Sequence, residues 1–312
     1  MQDQIGIPNC FSSTGDNSPE NLAAITKSGQ SVFTSIYRTK IISHCRFITV
    51  TWCKNLLLHG LSISIERPGG GAPYTCKLEV KSWKFWRKQG SKRLLIDDDK
   101  AVDVFWDLRA ARFNGDAEPN SEYYVAIVCD EEVILHLGNL KTEAYRKTNC
   151  RPSLIDPILV CRKEHVFGKK RFSSKGKFHE KGKVHEIWIE CRGGNNGELK
   201  TEPEMEIKID GKCVIDVKHL EWKFRGNESI TIGSRKVEVY WDVHDWLFSP
   251  GLRHALFIFR PVVTSPMVVS PPPSSSIMAG DLETVEGVVG EGGSLSGGSW
   301  EFCLFLYAWR VE

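Results

Sequence analysis

The sequence predicts an all-β protein with few helices. It is built as two tandem, internally repeated antiparallel β-sandwich-like units, or as one large pseudo-symmetric sandwich. Three observations carry this reading. Apolar and polar residues alternate at period two from Ile41 to Arg260, with Val, Ile, Trp and Phe enriched. Gly- and Asp-rich turn signals punctuate that alternation. Finally, VDVFWDLRAARF (Val102–Phe113) and VEVYWDVHDWLF (Val237–Phe248) repeat one another at five of twelve positions.

Taken in order, residues 1–40 are rich in Ser, Asn and Gly and read as a loose N-terminal segment. Ile5–Phe11 and Val32–Ile36 are apolar spots in it that could dock on the rest. The first β unit spans 41–150, with strands expected at Arg46–Trp52, Leu61–Glu66, Tyr123–Val128 and Val133–Leu137. The second spans 151–262, with strands at Glu186–Cys191, Met205–Ile209 and Ala255–Arg260. Pro68-Gly69-Gly70-Gly71 and Gly193–Gly197 read as turns, and Asp210-Gly211 as the tip of a hairpin. Further matches keep the same order in both units: ITVTWC with EIWIEC, SISIE with EIKID, Trp83-Lys84-Phe85 with Trp222-Lys223-Phe224, and YYVAIV with ALFIFR. Ordered matches of this kind point to duplication. The Trp106-Asp107 and Trp241-Asp242 dipeptides are 135 residues apart, which excludes propeller blades of about 40–45 residues. Alternation places Val102, Val104, Trp106 and Leu108 on one face, and likewise Val237, Val239, Trp241 and Val243. Residues 263–300 are Pro-, Ser- and Gly-rich and read as a disordered loop. FCLFLYAWR then returns to strand character, so 301–310 is expected to complete the second unit.

Composition narrows the function classes. The chain has 312 residues, and 41 basic against 39 acidic residues leave a net charge of +2. The overall balance therefore does not mark a polyanion binder; only local clusters could. No run of 18 apolar residues occurs, and MQDQIGIPNCF has neither a basic region nor an apolar core. An intracellular protein, cytoplasmic or nuclear, is the expectation. The ten cysteines form no C-x-x-C pair, and in a reducing compartment they read as small buried hydrophobes. No nucleophile elbow, phosphate loop, zinc-protease or dinucleotide motif is present. No catalytic residue, metal ligand or cofactor is nominated.

Three clusters could still carry chemistry. Asp242-Val243-His244-Asp245 has the residue types of an acid–base site, but a polar strand end with Asp capping a turn is the simpler reading. Asp97-Asp98-Asp99, with Asp103 and Asp107 nearby, could offer oxygen ligands to calcium, but an exposed turn explains it as well. The strongest electrostatic feature is Arg162–Lys183, with nine Lys or Arg against two Glu and with Phe167, Phe172 and Phe178 interleaved. Lys77–Arg93, with seven basic residues, Trp83 and Trp86, is a lesser one. Basic residues interleaved with aromatics suit a phosphate-rich partner. The expected function is a non-enzymatic binding or interaction protein using this inter-unit surface. Its contact residues would be Arg162, Lys163, Lys169, Lys170, Arg171, Lys175 and Lys177. The alternatives are a hydrolase-like enzyme with acidic strand-end residues, or a binder of anionic lipid or nucleic acid.

Nine segments in order then give a resemblance: IGIPNCF, VTWCKN, FWDLRAARF, YYVAIV, KEHVFG, HEIWIEC, WKFRGN, YWDVHDWLF and LYAWR. Across roughly Ile5 to Trp309 the chain resembles the plant family known as domain of unknown function 868. The resemblance implies a plant origin and supports FCLFLYAWR as part of the fold. It brings no activity, cofactor or site residue.

Overall fold

The structure is a computed structural model, and the residues it describes are 31–55, 58–69, 71–81, 88–97, 100–178, 182–196, 199–251, 253–262 and 302–310. Ile5–Phe11, the Trp83-Lys84-Phe85 motif, Asp98, Asp99 and the 263–300 loop lie outside them. The first copy runs β1 (Ser31–Ile41), β2 (His44–Lys54), β3 (Leu58–Ile65), β4 (Tyr74–Lys81), β5 (Gln89–Ile96), β6 (Lys100–Asp107), β7 (Tyr124–Cys129) and β8 (Glu132–Gly138). Helix α1 (Lys141–Thr148), the two-residue β9 (Arg151–Pro152) and β10 (Ile158–Phe167) follow. The second copy runs β11 (Arg171–Lys177), β12 (Val184–Asn196), β13 (Leu199–Ile209), β14 (Lys212–Val217), β15 (Arg225–Ile232), β16 (Arg235–Asp242), β17 (His254–Pro261) and β18 (Cys303–Trp309). A short helix α2 (His244–Phe248) sits between β16 and β17. The protein is all-β with few helices.

Each copy is two four-stranded antiparallel meanders, β1–β4 with β5–β8 and β11–β14 with β15–β18. The two copies therefore share one strand order, as the repeat requires. Their meanders are divided differently among the sheets. A nine-stranded sheet of order β15-β16-β17-β18-β10-β1-β2-β3-β4 takes the second meander of one copy and the first of the other. The remaining meanders form a five-stranded sheet, β5 to β9, and a four-stranded sheet, β11 to β14. β10 joins the halves, pairing antiparallel with β1 and parallel with β18. β18 pairs with β17 where β8 pairs with β7.

Residues 31–40, read from the sequence as loose, are instead most of β1. This strand is bonded on both edges, Val32 facing Cys53 on β2 and His165 on β10. Its Ser, Thr and Tyr content masks the alternation, because several of its buried positions (Thr34, Ser35, Thr39) are polar.

Both smaller sheets lie on the same face of the large one, here the inner face. Ser35, Arg162 and Leu304 form one cross-strand row on it, as do Phe33, Glu164 and Leu306. One end of such rows enters the first core, where Ile48, Val50 and Trp52 meet Val102, Val104, Trp106 and Ile127. The other end enters the second, where Leu304, Leu306 and Phe257 meet Ile187, Ile189 and Ile207. The faces assigned from alternation hold: Val102, Val104, Trp106 and Leu108, and Val237, Val239, Trp241 and Val243, are all buried.

The turns follow the same local chemistry. Asp210 and Gly211 both take positive φ (49° and 79°), as do Asp130 and Glu131 between β7 and β8 (50° and 62°). Two consecutive positive φ values match the twist of a tight hairpin. The copies also share a close approach. Gly90 on β5 stands opposite Trp106, and Gly226 on β15 opposite Trp241. A Cβ at Gly90 would come within 2.9 Å of the Trp106 ring, and at Gly226 within 2.3 Å of Trp241. Trp241 is held in place by its Nε1–H donating to the Lys223 carbonyl at 3.0 Å.

The copies differ at their second meanders. β7 is buried along its whole length. Its core face carries Val125 and Ile127, while Tyr124, Ala126 and Val128 pack outward against Ala144 of α1. β17 alternates instead, with Ala255, Phe257 and Phe259 buried in the core.

Overpacking at the repeated Gly–Trp contact gives a direct test. Gly226→Ala should destabilise the protein by about 2–3 kcal/mol and Gly90→Ala by about 1–2 kcal/mol, the usual range for forcing extra volume into a packed core. Urea unfolding of the two variants measures both, and equal, negligible losses would contradict the contact.

Candidate binding surface

The basic junction lies on β10, the turn after it and β11. Its two halves have different environments. Arg162 points from β10 into the space between the two cores. Its Nε donates to Glu164 Oε1 at 2.7 Å and its Nη2 to Glu118 Oε2 at 3.1 Å. Its guanidinium also lies 5.1 Å from the centre of the Phe33 ring. Glu164 is 1% exposed. Burial pushes its carboxyl up, and Arg162 pulls it back down. Arg162 is thus an internal ion-pair residue and leaves the set of contact residues. Lys163, half-buried, lies on the opposite face of β10 with its ammonium over the Phe305 ring.

The interleaved aromatics are also enclosed, Phe172 and Phe178 in the second core and Phe167 against Trp309 on the other face of the large sheet. Phe167, Phe172 and Phe178 are all buried. Phe172 and Phe178 pack on Phe257 and Phe259 across the second core. Buried as they are, they offer no stacking platform for bases: alternation along β11 sends Phe172 into the core, and Phe167 is stacked on Trp309.

Lys169, Lys170, Arg171 and Lys175 remain exposed, and Lys177 is half-buried. β11 is an edge strand of its sheet, bonded to β12 alone. Lys170 Nζ reaches the Gly193 carbonyl at 3.4 Å, and Arg171 lies 5.3 Å from the Trp188 ring centre. Among the described residues none of these four cations is in an ion pair. Further from the edge the charge is cancelled across strands. The edge cations Arg171 and Lys175 are in register with Glu190 and Glu186 of β12 without an ion pair among the described residues. Arg192 bridges Glu190 and Glu206, Lys208 binds Glu206, and Lys218 binds Glu204. The outer face of this sheet is a mixed-charge lattice, and its cations at the β10–β11 turn and the β11 edge lie outside any ion pair among the described residues.

The acid–base candidates are occupied locally. Asp242 Oδ1 accepts the His244 backbone N–H at 3.1 Å, and its Oδ2 accepts Arg225 Nε–H at 2.7 Å. In the first copy Asp107 Oδ1 likewise accepts the Arg109 N–H at 3.1 Å, and its carboxylate pairs with that side chain. These are turn caps at equivalent strand ends, as the simpler reading held. The pairing with Arg109 holds Asp107 below the ordinary carboxylate range against the opposing effect of burial. Asp97 pairs with Arg46 and bonds Tyr74, and Asp103 pairs with Arg93. Among the described residues no group of three metal-ligating side chains comes together. Cys53, Cys76, Cys129 and Cys191 are buried, whereas Cys45 and Cys213 are exposed. No helix among the described residues is long and apolar enough to cross a membrane.

The alternation reading missed one cluster, on the outer face of the nine-stranded sheet. Trp309 Nε1–H donates to His165 Nδ1 at 3.0 Å. The His165 ring stacks on Tyr307 at 4.6 Å, and Trp309 stacks on Phe167 at 5.9 Å. His254 lies 4.6 Å from Trp309, centre to centre. The signal was the period-two spacing of His165 with Phe167 and of Phe305, Tyr307 and Trp309. Burial pushes the His165 imidazole down to about 4, and the nearby His254 and Lys163 add to that effect.

Two predictions follow from β10. A histidine held neutral in the folded state contributes stability that is present above its unfolded pKa and lost as pH falls towards its folded one. With about 4 folded and about 6.5 unfolded, the loss between pH 7 and pH 5 is about 2 kcal/mol. His165→Gln, which keeps an acceptor for Trp309, should flatten this slope in urea unfolding. The internal ion pair answers to a different test. Arg162→Met leaves Glu164 buried without its cation and should cost about 3–5 kcal/mol, whereas adding Glu164→Leu should recover much of it. A single variant as stable as the parent would return Arg162 to the surface.

The chain matches the family described as plant protein of unknown function (DUF868) over residues 28–310. No curated protein and no solved structure matches it. Eight of the nine sequence segments named above fall inside the matched span, and Ile5–Phe11 falls outside it. With most of its length in that match, the chain belongs to the DUF868 family of plant proteins.

Proposed function

We propose that this is a non-enzymatic binding protein that meets an anionic partner at the β10–β11 turn and the β11 edge. One observation carries this reading: Lys169, Lys170, Arg171 and Lys175 are exposed and outside any ion pair among the described residues, on an otherwise charge-balanced sheet face. An edge strand also offers unpaired backbone N–H and C=O groups to an extended partner. The lysines would admit an acidic strand and repel a basic one. The buried phenylalanines argue for recognition of charge rather than for base stacking. The strand-end carboxylates are engaged as turn caps, so the hydrolase reading gains no support from them.

Salt dependence tests this. Each cation that neutralises a phosphate contributes about 0.9 to the slope of log affinity against log salt on a duplex polyanion. With a DNA duplex as the probe polyanion, Lys169→Ala, Lys170→Ala and Arg171→Ala together should lower that slope by about 2–3. Arg162→Met should leave it unchanged. An unaltered slope in the triple variant would remove this surface from the proposal.

A further inference from the structure

Cys161 and Cys303 are the one cross-strand cysteine pair among the described residues. They stand in register at the first position of the parallel pairing between β10 and β18. Arg162 and Leu304, one residue on, face the inner side of the large sheet, so alternation turns both thiols to the outer side. Their Cα atoms are one strand spacing apart, about 4.8 Å. That lies within the roughly 4.4–6.8 Å that a disulfide spans. Both cysteines are free and half-buried.

The surroundings favour reaction at Cys161 first. Cys161 and Ile36, paired across β10 and β1, line an open pocket of about 680 Å³ together with Phe47, Thr49 and Ser64. A small solute therefore has access to this side of Cys161. Burial pushes the Cys161 thiol up, and Lys163, two residues along the same face, pulls it down. Cys303 is pushed up to about 11 by burial and by Cys161 beside it. The two sulfurs are thus close enough for one to oppose ionisation of the other.

We propose that Cys161 and Cys303 are a reversible oxidation site, closed to a disulfide by a peroxide. The Cys161 thiolate attacks one peroxide oxygen, the O–O bond breaks and hydroxide leaves. The Cys303 thiolate then attacks the sulfenic sulfur, the S–S bond forms and a second hydroxide leaves. The two hydroxides take up the two thiol protons. Two thiols and one peroxide therefore give one disulfide and two waters. Side chains on adjacent parallel strands run side by side rather than towards each other, so the bond is strained. Strained disulfides are the readily reduced, regulatory kind. The position decides what the bond does. The β10–β18 pairing joins the two copies into one sheet. A bond there staples the last strand to the first strand of the junction and closes a long loop of chain, which restricts the unfolded state. This site is independent of the basic surface on β11.

The reduced full chain, treated with hydrogen peroxide, provides the test. Iodoacetamide then blocks the remaining thiols in denaturant, and peptide mapping without reductant reads the linkage. A Cys161–Cys303 cross-linked peptide should appear while Cys76, Cys129 and Cys191 are still recovered as alkylated thiols. The oxidised chain should unfold at higher urea than the reduced one, and glutathione should reopen the bond. Cys161→Ser should remove the link and slow oxidation of Cys303 about tenfold, since reactivity follows thiolate content and access. Cys303→Ser should carry Cys161 on to the sulfinic acid, because no partner resolves its sulfenic form. Peroxide that oxidises the exposed Cys45 and Cys213 while Cys161 and Cys303 stay as thiols overturns the proposal. So does a parent chain whose Cys161 links to another cysteine or ends as sulfinic acid, or a bond that glutathione leaves intact.

Discussion

The architecture depends on β10 being bonded on both edges. One edge pairs with β1 of the first copy, and the other with β18, the last strand of the second. A strand in that position has no free edge, and its buried residues on each face need an internal account. On the inner face Arg162 and Glu164 neutralise each other between two apolar cores, with Glu118 reaching in from the loop after β6. On the outer face His165 accepts from Trp309 and stacks on Tyr307. The buried pair adds little net stability relative to an apolar replacement. What it does supply is register: a one-residue slip of β10 would turn Arg162 and Glu164 outward and Lys163 into the core.

The repeat becomes more informative because its copies are not used alike. Both fold as the same two meanders, yet the large sheet takes β1–β4 from one and β15–β18 from the other. A meander that joins the large sheet in one copy therefore corresponds to a separate small sheet in its twin. The same ancestral positions face different surroundings. The outward side of β7 carries Tyr124, Ala126 and Val128 beneath a helix, and that of β17 and β18 carries a stacked His, Tyr and Trp cluster. Conserved features between copies are those set within one meander pair, such as the Gly–Trp approach and the Asp-capped strand ends. Divergent ones sit where the sheets are joined.

This division also explains what could be read from residues alone. Strand faces, the Asp210-Gly211 hairpin and the closing role of β18 depend on local alternation and turn chemistry, and they were legible. β1 was not, since a strand flanked on both sides can bury Thr34, Ser35 and Thr39 and so lose its apolar rhythm. Helix α1 was missed because Ala144 is its only buried residue and gives no periodic stripe. Its ends did carry a signal: Glu143 in the first turn, Arg146 and Lys147 in the last, and Asn149 in the left-handed region just after it. The joining of the two copies into one sheet is a long-range pairing between residues 161–167 and 303–309, which no local pattern encodes.

The basic junction shows the same limit for charge. Along the chain Arg162–Lys183 is the most basic stretch, yet its neighbours in space are not its neighbours in sequence. Phe172 and Phe178 enter the second core and Phe167 packs against Trp309, β10 turns Arg162 into the molecule, and β12 and β13 lay Glu186, Glu190 and Glu206 alongside the cations of β11 and β12. What survives is a short ridge at a turn and a strand edge, much smaller than the linear run. Such a ridge is too narrow to hold a long nucleic-acid track, but it has the length of one extended segment of a partner. A charged edge strand both discourages pairing between identical copies, since lysine would face lysine, and admits a strand of opposite sign. On the proposed function, the lysines that disfavour pairing of β11 with its own copy also select the charge of the partner.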